Sequence, residues 1–236
     1  SPKVLQLNDL SPRFEIKNNS FVFPYNLSCS QLHIERSALT IALKENLGII
    51  YSTSTIDSEA LNSIKNQCED AGKKVFLISF TEPTTHNGLN PFLILEPAQI
   101  AQFYFKAGSK EYEQLTAEFK NNTEPTTPEV VLKIIRQNQA LFTNKAFACD
   151  LLVKNLEAIV SSINPFSNTD KTRNVDLSSI INDGHVLIFG GLNDPLLADE
   201  FKAFINDYFL NPVFVNNQIN TARNNKTYII TSSESA

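Results

Sequence analysis

Short apolar runs alternate with amphipathic helical stretches along this chain, and that alternation constrains the fold more than any other feature. Runs of four to six apolar residues suit buried strands, and the stretches between them repeat their apolar residues at helical spacing. The order predicts an α/β architecture with a mostly parallel sheet. Strands are expected at Phe21–Tyr25, Gly48–Tyr51, Val75–Phe80, His185–Phe189 and Tyr228–Thr231, with a short edge strand at Val213–Val215. Leu32 to Leu47 reads as a central helix, because Ile34, Ala38, Leu39, Ile41, Ala42 and Leu43 leave little of its surface polar. Gly48 stands in the glycine position past a helix end. Thr55 is the expected cap of the next helix, whose apolar face is Ile56, Ala60, Ile64, Cys68 and Ala71.

From Pro97 to Ile163 the pattern is almost wholly helical. Pro97 and Pro128 sit where helices can begin, and Thr127 is the cap of the second. The expected organisation is therefore a first half-sheet over 1–96, a helical insertion over 97–172 and a second half-sheet over 173–236. Asp194-Pro195 opens a last long helix carrying Leu197, Phe201, Phe204, Ile205 and Tyr208.

Composition removes several function classes. A net charge of −5 on 236 residues leaves no basic face to displace the counterions of a nucleic acid. No apolar run approaches the ~20 residues of a membrane span, and nothing at the start reads as a signal peptide. Cys29, Cys68 and Cys149 are an odd number, far apart and without a CxxC pair, which suits a reducing compartment. A cytoplasmic protein is expected, reaching the inner membrane only through partners.

Chemistry-bearing motifs are sparse. Ligands of a parallel sheet bind beyond the carboxyl ends of its strands. The loop after the first strand, from Tyr25 to His33, is strand–turn–helix in position, yet it holds none of the seven glycines and no Lys. A phosphate cradle needs both, with a Ser or Thr for the metal. Gly190-Gly191-Leu192-Asn193-Asp194 is the one glycine-rich turn leaving a strand, and Asp194 would repel an anion there. Cys29 and His33 lie close in sequence without an orienting third group. His33, His86 and His185 show no ligand spacing, so neither metal nor cofactor is expected.

The order of elements resembles the ATPase domain of type IV coupling proteins, the TraD- and DotL-like relatives of FtsK and HerA. The residues that carry the resemblance are Gly48-Ile-Ile-Tyr51, then Ala71-Gly-Lys-Lys-Val-Phe-Leu-Ile-Ser-Phe80, then Gly88-Leu-Asn-Pro-Phe92. Val175 to Gly184 and the strands at 185–189 and 228–231 follow in the family's order. The resemblance implies a P-loop-NTPase-like sheet flanked by helices. It also places the family's phosphate-loop glycines at Tyr25, Ser28 and Ser30, its phosphate Lys at Gln31 and its metal-binding hydroxyl at Leu32. The acidic turn falls on Ser52-Thr-Ser-Thr55, and the Asp-Glu pair falls within Thr231-Ser-Ser-Glu234.

Phosphoryl transfer depends on positioning and charge neutralisation, so a chain without those groups is expected to be a pseudo-ATPase-like adaptor or scaffold. The implied partners are subunits of a bacterial type IV secretion coupling complex, of the Dot/Icm kind. Rival expectations are a nucleotide-binding or other α/β enzyme with unusual site residues and a secreted bacterial effector. Two aromatic clusters, Phe103, Tyr104 and Phe105, and Phe201, Phe204, Tyr208 and Phe209, hold more rings than one helix face easily buries. Core packing is their ordinary use, and an interface or homodimer surface is the alternative.

Overall fold

The computed structural model describes residues 3–24, 30–80, 87–145, 168–175, 177–193, 199–217 and 227–231, with 150, 153, 154, 156, 157, 195 and 197 between them. The fold is α/β, as expected: a seven-stranded, mostly parallel mixed sheet flanked by helices. The chain divides into two units, 1–81 with 175–193 and 203–236, and 82–174 with 194–202.

Among the described residues, the first unit holds the whole sheet. Its strands are β1 (Lys3–Gln6), β2 (Arg13–Lys17), β3 (Ser20–Val22), β4 (Ile49–Thr53), β5 (Val75–Ser79), β6 (Val186–Gly190) and β7 (Tyr228–Thr231). They lie in the order β1-β2-β3-β7-β4-β6-β5. Pairings β1–β2 and β2–β3 are antiparallel, and the other four are parallel. The strands β1 and β2 were not anticipated, although Arg13-Phe-Glu-Ile-Lys17 alternates exposed and buried side chains. Asn18 and Asn19, both at positive φ, form the two-residue turn into β3.

Period-two alternation assigns the faces. Ile49, Tyr51, Val186, Ile188, Tyr228 and Ile230 point to one side. There they meet Ile34, Ala38, Leu39 and Ala42 of α1 (Gln31–Leu43) and Leu61, Ile64 and Cys68 of α2 (Ser58–Asp70). The steps β3→β4 and β4→β5 run in the same direction across the sheet, so right-handed crossovers put α1 and α2 on one face. The step β6→β7 runs back, and on the other face Phe189 packs edge-on against Phe209 at 5.5 Å. Phe14, Phe21, Phe23 and Tyr228 close the antiparallel end of the core through edge-to-face contacts near 5.5 Å, each worth ~1 kcal/mol.

Several local expectations are corrected. The helix α1 stops at Leu43, four residues earlier than read, and Gly48 is not its end signal. Gly48 is required because a Cβ there would overlap the Ile180 carbonyl. Asp57, not Thr55, caps α2, accepting from the N–H groups of Glu59 and Ala60. The buried face of α2 is Leu61, Ile64 and Cys68, while Ile56 and Ala71 lie outside it and are exposed. Val213–Val215 is helical, inside Pro212–Asn217, because Pro212 opens a helix and the Asn211 side chain accepts from Val213 N–H. The preceding helix starts at Asp199 rather than Pro195 and runs to Ile205, followed by a π-helical turn over Asn206–Leu210.

The second unit contains α3 (Pro97–Ala101), α4 (Lys110–Asn121) and α5 (Pro128–Gln137), and a 3-10 segment at Gln139–Lys145. Thr127 caps α5 as expected, its hydroxyl accepting from Val130 N–H. Leu156 is buried, whereas Ala148, Leu152, Ile159 and Ile163 lie outside the described residues. Asn90 organises the segment before α3. Its side-chain N–H groups donate to the carbonyls of Thr126 and Asn168, its side-chain oxygen accepts from Phe92 N–H, and its own N–H donates to Asn174. Gly88 lies beside this knot, and a Cβ there would occupy the Asn168 side chain.

Candidate functional site

The carboxyl ends of β4, β5, β6 and β7 finish in small or hydroxyl residues: Ser52-Thr53, Ser79, Gly190 and Thr231. Register sets Thr53, Gly190 and Ser79 side by side on the face of α1 and α2, and Ser52 beside Thr231 on the other. The connection leaving β4 runs to the α1–α2 face. The turns after Thr53 and Gly190 are joined by the Gly191 N–H donating to the Thr53 carbonyl at 3.3 Å.

A buried polar cluster lies just beneath. Glu35, in the second turn of α1, is 1% exposed, and Oε1 accepts from the Tyr51 hydroxyl at 2.8 Å. The Thr53 hydroxyl also bonds the Glu35 carboxyl, and it accepts from Thr55 N–H. Burial pushes the Glu35 carboxyl above its usual range, opposed by those hydroxyl hydrogen bonds. Burial also raises Tyr51, reinforced by the neighbouring Glu35. Sequence reasoning overlooked Glu35; the signal was a carboxylate inside an otherwise apolar helical face between Ile34 and Ala38.

At the start of α1 the family-derived positions take clear roles. Ser30 is the helix cap, its hydroxyl accepting from His33 N–H at 3.2 Å. Gln31 is exposed, and Leu32 packs against the core. Tyr25, Ser28 and Cys29 lie outside the described residues, as do His86, Cys149, Asp194 and residues 232–236. His33 is exposed, and His185 packs against Phe76 at 5.8 Å. Gly190-Gly191 does not lead directly into a helix. Among the described residues no group of three His, Cys, Asp or Glu could hold a metal, and no helix is long and apolar enough to cross a membrane.

In the two aromatic clusters, Phe105, Phe204 and Phe209 belong to the core, and Phe103, Tyr104 and Tyr208 are half-buried. Phe105 is buried and stacks on Phe142 at 4.7 Å; Tyr104 meets the same ring edge-on, and Phe103 is half-buried beside it. Phe204 and Phe209 are buried, and Tyr208 is half-buried against Phe204. The Phe201 side chain lies outside the description. Their volume fills helix–helix and helix–sheet space that periodicity alone did not reveal.

Comparison with known proteins finds no matching family model, no matching curated protein and no matching solved structure.

Proposed function

We propose that this chain is a non-catalytic, pseudo-ATPase-like adaptor or scaffold subunit of a bacterial type IV secretion coupling complex. It acts in the cytoplasm, at the inner membrane through its partners. The observation that carries the reading is the first turn of α1. There Ser30 spends its hydroxyl on the helix cap, Gln31 offers no positive charge, and the side chain at the metal-binding position, Leu32, belongs to the core. A triphosphate with its magnesium needs a cation and a hydroxyl or carboxylate at those positions. The mostly parallel sheet and the small residues at its carboxyl ends supply the frame on which such an adaptor would be built.

Isothermal titration with ATP–Mg²⁺ tests the proposal. Heats indistinguishable from buffer dilution are expected. Micromolar affinity, or turnover lost on Gln31→Ala, would replace the adaptor with an enzyme.

A further inference from the structure

Arg36 sits half-buried on α1, and its guanidinium reaches across to α2. Nε–H donates to Gln67 Oε1 at 2.9 Å, and Nη1 approaches Ser63 Oγ at 3.4 Å. Gln67 is itself held, donating to Thr40 Oγ1 at 2.9 Å, and Thr40 donates to the Arg36 carbonyl at 2.8 Å. The guanidinium is therefore pre-oriented by neutral groups. Among the described residues it has no ion-pair partner. Its sequence neighbour Glu35 is committed to Tyr51 beneath the helix.

Arg36 lies in an open groove of about 820 Å³ along α2, which adjoins a second hollow of about 530 Å³ through the shared Arg36 and Gln67. The groove is walled by one stripe of α2 at helical spacing: Glu59, Asn62, Ser63, Asn66, Gln67 and Asp70. Its charges are ordered, with the cation central and an acid at each end. Glu59 and Asp70 stand ~16 Å apart at 1.5 Å per helical residue, with Arg36 braced near the middle. Asp70 is also misplaced for helix stability, since it occupies the negative end of α2 and no basic residue shares that last turn.

We infer that this groove docks an extended segment of a protein partner. One carboxylate of the segment pairs with Arg36, and basic side chains about two to three residues to either side meet Glu59 and Asp70. Extended chain advances ~3.3 Å per residue, so this spacing matches the ordered charges. The carboxamides of Asn62 and Asn66 face the segment's backbone. The flanking acids disfavour a phosphate dianion or a polyanion at Arg36, and the open trough suits a strand-like segment over an enclosed small molecule. The choice of a protein occupant rests on the adaptor reading above.

The probe is acetyl-Lys-Ser-Glu-Ser-Lys-amide, titrated into the isotopically labelled full chain and followed by NMR. Saturable shifts are expected at the Arg36 Nε–H and at the amides of Asn62, Asn66 and Asp70. The same peptide with Gln in place of Glu should bind at least about tenfold more weakly, the factor of one charge-assisted contact. Asp70→Asn, an exposed substitution, should weaken the original peptide without disturbing the rest of the spectrum. Equal binding by the Gln peptide or the charge-reversed peptide overturns the inference, as does no response at all. ATP–Mg²⁺ added to the same sample keeps the two claims separate: shifts on ATP with intact peptide binding would sink only the adaptor reading.

Discussion

The Tyr51 hydroxyl donates to Oε1 of Glu35 across 2.8 Å, joining β4 to α1 where neither side chain has appreciable contact with solvent. Because burial holds the carboxyl above its usual 4.5, the folded chain binds this proton more tightly than the unfolded chain. The contribution is complete below pH 4.5 and is lost as the pH climbs through the raised folded-state value. Urea midpoints measured from pH 4 upward should therefore fall for the native chain, and Glu35→Gln should flatten that fall. Tyr51→Phe should cost ~1–3 kcal/mol by removing one of the two hydroxyls that bond the buried carboxyl. Parallel pH profiles for the native chain and the Gln variant would contradict the buried-acid picture.

Asn90 spends both side-chain donors on the carbonyls of Thr126 and Asn168. Asn90→Asp keeps the shape and replaces those donors with a charge facing two carbonyl oxygens. A loss of ~3 kcal/mol or more is expected in chemical denaturation, since a buried, unpaired charge is among the costliest defects. A variant within ~0.5 kcal/mol of the native chain would show that the knot does not hold the second unit together.

Cys68 is fully buried under α2, and burial pushes its thiol up to about 12. Only the thiolate is nucleophilic, and at pH 8 it is a ~10⁻⁴ fraction of such a thiol. Iodoacetamide should label the peptide containing Cys68 only when urea unfolds the chain, as read by mass spectrometry. Rapid labelling of that peptide in native buffer would be the contrary result.

Thr227 is fully buried, and its hydroxyl finds no hydrogen-bond partner among the described residues. Its N–H is satisfied by the Asn216 side chain, a bond that Val would retain. Thr227→Val removes only the stranded hydroxyl and should stabilise the fold by ~1 kcal/mol. A lower melting temperature for this variant would indicate that the hydroxyl does have a partner.

Elements whose cause is local could be read directly from the chain. Alternation of apolar runs and helical faces determined the α/β class; Pro128 after Thr127 marked a helix start, and Tyr228–Thr231 was plainly a strand. A chain segment's periodicity depends only on which side of it is wet. Tertiary structure alone decided that β7, last in sequence, inserts between β3 and β4. It also decided that Phe204 and Phe209 fill a core, that Asn90 meets Asn174 from 84 residues away, and that Glu35 is buried while Arg36 beside it has no carboxylate partner among the described residues. Those outcomes depend on which distant surfaces come together, and adjacent helical residues point in directions that only a packed neighbour makes different in energy.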